Sequence, residues 1–178
     1  MRSICFWGSR AKISFYEDFK FAGKTFLFAL SALIVVNYLI GVLFQYFSIE
    51  IIPQHAVVVI KEQLSLGWKT RFFTIILVCL LGPAYEEFIF RGILQSSWVK
   101  SFGKFWGIFI ASSIFSLAHL NTLALGEVRV LANLFVFSLF LGVAYEKRKS
   151  LLCSVVLHIM LNTTTLFSLM LYQEEFLA

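Results

Sequence analysis

The sequence predicts an all-α, polytopic membrane helix bundle of about five transmembrane helices plus one interfacial amphipathic helix. Three observations predict it. Apolar residues make up 60% of the 178 residues and charged residues only 14%, with a mean hydropathy of +0.86; a soluble domain is nearer half apolar and a quarter charged. The apolar residues gather into five runs, approximately 25–48, 72–97, 105–124, 129–146 and 150–172, each close to the roughly 20 helical residues that cross a bilayer. The basic residues sit in the short segments between these runs, which is how membrane proteins use them.

The first run is long enough to span and carries no small-x-small cleavage pattern, so it is expected to stay as an anchor. Residues 1–24 read as a basic cytoplasmic N-terminal segment and 25–178 as a single transmembrane domain. The segment 50–70 is too polar to cross. Pro53 is suited to the first turn of a helix, and the segment reads as an amphipathic helix along the membrane surface, a connector first and a gate second. The later runs are joined by short segments, so neighbouring helices are expected to pack antiparallel.

Lys and Arg counts set the orientation. With the N-terminus in the cytoplasm, the inside segments hold Arg2, Arg10, Lys12, Lys20, Lys24, Lys100, Lys104, Lys147, Arg148 and Lys149, ten in all. The outside segments hold Lys61, Lys69, Arg71 and Arg129, four, and Arg91 completes the 15 from within a run. Ten against four predicts N-inside and C-outside, and the acidic tail with Glu174 and Glu175 fits the outside. The small chain and this pattern suit a bacterial inner membrane. The net charge of +5 forms no basic stripe, so no nucleic-acid partner is expected; the bilayer is the partner. Cys5, Cys79 and Cys153 show neither a paired framework nor metal-ligand spacing and read as small apolar residues.

Some residues do not belong in lipid. The second run contains Glu86, Glu87 and Arg91 in GPAYEEFIFRGIL. Facing lipid, each would cost roughly 2–4 kcal/mol on insertion scales, so all three must face protein or a wet cavity. Successive helical residues are about 100° apart, so the two glutamates point differently. Glu87 and Arg91 are spaced i,i+4 in the favourable order and are expected to pair. That leaves Glu86 without a partner on its own helix, free to serve as a general base or acid. Gly82 and Pro83 lie one turn earlier, where proline kinks a helix and opens space beside Glu86. The third run carries Phe115 and His119, and the fifth His158 and Asn162, each pair i,i+4 on one face. Ser112, Ser113, Ser116 and Thr163 to Thr165 read as hydroxyls that bridge helices.

A carboxylate, two imidazoles and a carboxamide can cleave an amide in two ways. Glu86 and His119 can activate a water while His158 and Asn162 stabilise the tetrahedral oxyanion. Alternatively, His119 and His158 can bind zinc, with the metal activating the water. Asn is a poor zinc ligand and no HExxH is present, so the metal-free route is favoured and no cofactor is expected, zinc being the alternative.

The order EExxxR (Glu86, Glu87, Arg91), FxxxH (Phe115, His119) and HxxxN (His158, Asn162), each on its own membrane helix, resembles the CPBP family. That family takes in the CAAX prenyl proteases, the bacteriocin-processing and immunity proteins and the abortive-infection proteins. The resemblance covers roughly residues 70–170. It implies an intramembrane endopeptidase acting on a peptide or membrane-protein substrate, with Glu86, His119, His158 and Asn162 as catalytic residues. It implies supporting roles for Glu87, Arg91 and Phe115. Family members often have six to eight spans, more than the five runs here. A non-catalytic immunity or binding protein of the same fold and, further off, a small proton-coupled transporter are the alternatives; against the transporter, the chain shows no two similar halves.

Overall fold

The computed structural model describes residues 15–50, 55–122 and 124–175, and every described element is helical. Helix α1, Phe15–Tyr46, is 32 residues long, about 48 Å at 1.5 Å per residue. It starts ten residues before the first apolar run. Glu17 and Asp18 occupy its first turn, where carboxylates suit the positive end of the helix dipole. Asp18 is fully buried and accepts bonds from Arg148 Nε at 2.7 Å and from the Ser150 hydroxyl. Residues 15–24 are helical and continuous with the first apolar run. Cys5 and Pro53 lie outside the described residues.

Helix α2, His55–Ser65, 11 residues long, lies within the 50–70 segment read as amphipathic. Helix α3, Trp68–Ile76, then leads into one continuous helical stretch. A π-helical segment, Leu77–Leu81, is followed by the six-residue α4, Gly82–Glu87, and by a second π-helical segment, Phe88–Gln95. Helix α5, Ser96–Leu117, completes it. Four described helical stretches are long and apolar enough to cross a membrane, and the one from Trp68 to Leu117 is 50 residues long. It contains both the second and the third predicted runs.

Gly103 divides them. Its φ of 81° and ψ of 170° lie outside the helical region and favour glycine. A methyl group on Gly107 would fall 2.6 Å from the backbone nitrogen of Val99. Residues eight apart in an unbroken helix stand about 12 Å apart along the axis, so the chain doubles back at Gly103 and the two arms pack side by side. Four helical stretches therefore supply the five apolar segments. The returning arm ends at Leu117, before the 124 that apolarity predicts, because Asn121 and Thr122 turn to bind His119 O and Glu127.

A short 3₁₀ turn, Leu125–Glu127, opens onto α6, Val128–Arg148, and Lys149 in the left-handed conformation ends it. Helix α7, Leu151–Glu175, runs back alongside. The main core joins Ala22, Ala29 and Leu33 of α1 to Phe137, Leu141 and Ala144 of α6 and Cys153, Val156 and Leu157 of α7. Small residues let the helix backbones approach where lipid supplies no hydrophobic drive. Farther along α1, Asn37 and Asn133 of α6 exchange reciprocal amide bonds of 2.8 and 3.1 Å. Arg129 Nε adds a 2.9 Å bond to Asn37 Oδ1. Gly142 of α6 admits Gln95, whose Nε2 donates to Gly142 O at 3.0 Å; a Cβ at Gly142 would stand 2.8 Å from Gln95 Oε1.

Gly107→Ala is expected to destabilise the fold by about 1–3 kcal/mol or more, as overpacking does, whereas Gly41→Ala, where nothing lies within 4 Å, should be neutral. Thermal unfolding of the two variants in detergent checks the contrast.

Candidate active site

The local geometry begins with a missing donor. In the first π segment the backbone bonds run i→i−5, and Gly82 N–H accordingly bonds Leu77 O. In the same register Pro83 would bond Val78 O, but proline has no N–H. The Val78 carbonyl is thereby released and accepts the side-chain amide of Asn162 on α7, Nδ2 to O 2.9 Å. Pro83 occupies the first turn of α4, where a missing N–H is tolerated. The cross-link sets Asn162 level with the two glutamates that follow Pro83. Single-turn π distortions recur at functional sites, and here one lies on each side of the glutamates.

Glu87 heads a buried chain of contacts. Its Oε2 lies 3.2 Å from Arg91 Nε, with both side chains almost wholly out of solvent. Arg91 Nη2 donates to the Ser138 carbonyl at 3.1 Å and to the Ser138 hydroxyl at 2.7 Å. The guanidinium also stands 4.8 Å from the centre of the Phe115 ring, a cation–π distance. On its other side Glu87 Oε1 is 2.9 Å from His158 Nδ1. A carboxylate can only accept, so the Nδ1 proton is assigned to His158 from this partner. His158 is thereby oriented with Nε2 pointing away from Glu87.

His119 receives the same treatment from a different partner. Its Nδ1 is 2.8 Å from Phe115 O, a carbonyl acceptor, which assigns the proton to Nδ1 and leaves Nε2 facing outward. Both free nitrogens converge on Glu86: Oε2 lies 3.9 Å from His119 Nε2 and 3.8 Å from His158 Nε2. These separations exceed a hydrogen bond and suit a water held between the groups. Phe115 packs its ring against both imidazoles, centroids 4.8 and 6.0 Å apart, and Phe137 closes on His158 at 5.5 Å.

Glu86, His119, His158 and Asn162 line one cavity of about 300 Å³. Its remaining wall is almost entirely apolar, from α2, the first π segment, α6 and α7. Glu86 is 30% exposed and His119 27%, against 5% for His158, so the carboxylate and one imidazole face the cavity while the other imidazole is anchored in protein. As the side chains stand, no group of three His, Cys, Asp or Glu among the described residues could hold a metal ion. The zinc alternative would draw on the same two atoms, His119 Nε2 and His158 Nε2, that meet Glu86 here; no step below is routed through a metal.

All seven residues singled out by the sequence gather here. His119 departs from expectation in one respect: it lies in the turn after α5, its N–H bonded to Ser116 O, rather than on a helix. The hydroxyls of Ser113, Ser116 and Thr164 return to carbonyls of their own helices instead of bridging between them. Sequence reasoning missed Ser138, which carries Arg91. A serine in an apolar run gave no signal that could separate it from the other serines. It ranked the α2 segment as a connector ahead of a gate, although the apolar positions Ala56, Val57, Ile60 and Leu64 share one helical face.

The sequence model of the type II CAAX prenyl endopeptidase Rce1-like family matches residues 68–164. No curated protein and no solved structure matches the chain. The matched stretch exceeds half of the 178 residues and contains every residue of the three motifs.

Removing the Ser138 hydroxyl takes one acceptor from a buried cation. Ser138→Ala is expected to cost about 1–3 kcal/mol, read as a lowered unfolding temperature in detergent, with Ser113→Ala, whose exposed hydroxyl only bonds Phe109 O of its own helix, unchanged within about 0.5 kcal/mol.

Proposed function

The chain belongs to the Rce1-like family of type II CAAX prenyl endopeptidases, and from that membership we propose a glutamate-dependent intramembrane endopeptidase that needs no metal. The observation that carries the reading is the convergence of two imidazole Nε2 atoms on Glu86 Oε2, at 3.8 and 3.9 Å, inside a mostly apolar cavity.

In this mechanism a water sits between Glu86 and His119. Glu86 Oε2 takes a proton from it as the oxygen attacks the carbonyl carbon of the scissile peptide bond. The carbonyl π electrons move to oxygen, and the resulting oxyanion faces His158 and Asn162. His158 Nε2 borders the oxyanion, and Asn162 donates to it the N–H that Val78 leaves unused. The tetrahedral intermediate then collapses. The C–N bond breaks, Glu86 returns its proton to the departing amine nitrogen, and a carboxylic acid and an amine leave. Donors fixed before the reaction are most effective in a site of low polarity, where removing one typically costs 10²–10³-fold in rate.

The carboxamide beside His158 supports the metal-free form, since amides are poor zinc ligands. The substrate is a peptide or a membrane-protein segment that reaches the cavity from the bilayer. The Lys and Arg balance supports an N-inside, C-outside arrangement in a bacterial inner membrane.

Glu86→Gln is expected to abolish cleavage of a quenched peptide library in detergent, with unfolding temperature unchanged and wild-type activity surviving a strong chelator. Chelator-sensitive cleavage would replace this mechanism with a zinc-dependent one. A folded wild type that cleaves nothing would point to a binding or immunity role. For orientation, a thiol introduced at Lys149 should react only from the cytoplasmic side and one at Leu66 only from outside, in a background freed of native cysteines; the reverse labelling would invert the topology.

A further inference from the structure

The family match begins at residue 68, yet the cavity does not. Ala56, Val57 and Ile60 of α2 line it together with Glu86, His119 and His158. Their spacing, with Leu64, places them on one face of an α-helix. The far end of that face is fastened. Leu64 is 1% exposed and packs with Cys79 of the first π segment and Leu166 of α7, with Ile60 and Met170 against the same cluster. Arg71 Nε donates to Leu64 O at 3.1 Å, satisfying a carbonyl at the C-terminal end of α2, where orphan acceptors otherwise remain. A helix held by a buried leucine and a side-chain cap behaves as a wall. Leu77, Leu166 and Leu169 line the same cavity.

We propose that α2 is the specificity-determining wall of the enzyme, with Val57 and Ile60 fixing the size of the substrate side chain that can lie beside the scissile bond. This rests on the peptidase reading above. A pocket of about 300 Å³ is at the lower limit for an organic ligand, so one side chain added to or removed from its wall alters a large share of the space. A single methylene matched or mismatched in such a pocket changes kcat/KM by about 10–200-fold. The family core thus supplies the hydrolytic groups, and a helix outside it decides what reaches them.

The test is a panel of quenched peptides, embedded in the same detergent, that differ only in an Ala, Leu or Phe next to the cleaved bond. kcat/KM is measured for wild type, Ile60→Ala, Ile60→Trp and, as a variant at the exposed rim that spares the Leu64 cluster, Ala56→Trp. The expected result is a change in preference: each Trp variant loses at least about 10-fold on the Phe and Leu peptides relative to the Ala peptide, and Ile60→Ala shifts toward Phe. Equal changes on all three peptides, or none, while wild-type cleavage remains dependent on Glu86, would overturn the α2 subsite alone. Absence of Glu86-dependent cleavage by the wild type on every peptide would overturn the peptidase reading and the subsite with it.

Discussion

The buried pairing of Glu87 with Arg91 is the constraint on which the rest of the site depends. Two charges at membrane depth are unfavourable unless each finds partners. Here the partners are distributed over three other helices: Ser138 of α6 and Phe115 of α5 receive the cation, and His158 of α7 receives the carboxylate. Satisfying the pair therefore brings four segments to one level. Geometry at the reactive end follows from this. His158 is turned so that Nε2 meets Glu86, and Phe115, fixed beneath Arg91, supplies through its own carbonyl the acceptor that turns His119 the same way.

Backbone chemistry provides the second registration. A π turn, a proline without N–H and the carbonyl it releases give Asn162 a single anchor point. The side chain that occupies it is thereby placed one helical turn from His158 on the same face of α7. A polar side chain held by a carbonyl inside the bilayer has few competing partners, so this one bond serves as a depth gauge for α7 against the glutamate-bearing segment. The same helix distortion that frees Val78 O lies beside Gly82 and Pro83, which line the cavity.

Much of this is legible in the chain because it follows helical periodicity. The i,i+4 spacing of Glu87 and Arg91 survives as an ion pair, and the cost of charges in an apolar run already required an internal site. Apolar run length located the spans, and the glycine in KSFGK marks where one helical stretch doubles back into two. What stayed hidden does not obey composition or period. A π turn changes the hydrogen-bond register without changing which residues are apolar. His119 left its helix because polar residues after it captured the chain end. Ser138 is one hydroxyl among many, distinguished only by a cation arriving from a segment 47 residues away. Helix α2 reads as a connector by polarity, and only its packing on Cys79 and Leu166 turns its apolar face toward the glutamate.

The most direct measurement is nitrogen-15 NMR of histidine-labelled protein in detergent, with His119→Ala and His158→Ala used to assign the two rings. The arrangement described here requires His158 to carry a proton on Nδ1, held by Glu87, with that signal lost in Glu87→Ala while the His119 signal is retained. A His158 ring protonated only at Nε2, with Nδ1 bare, would contradict it, because Glu87 would then not orient the imidazole toward Glu86.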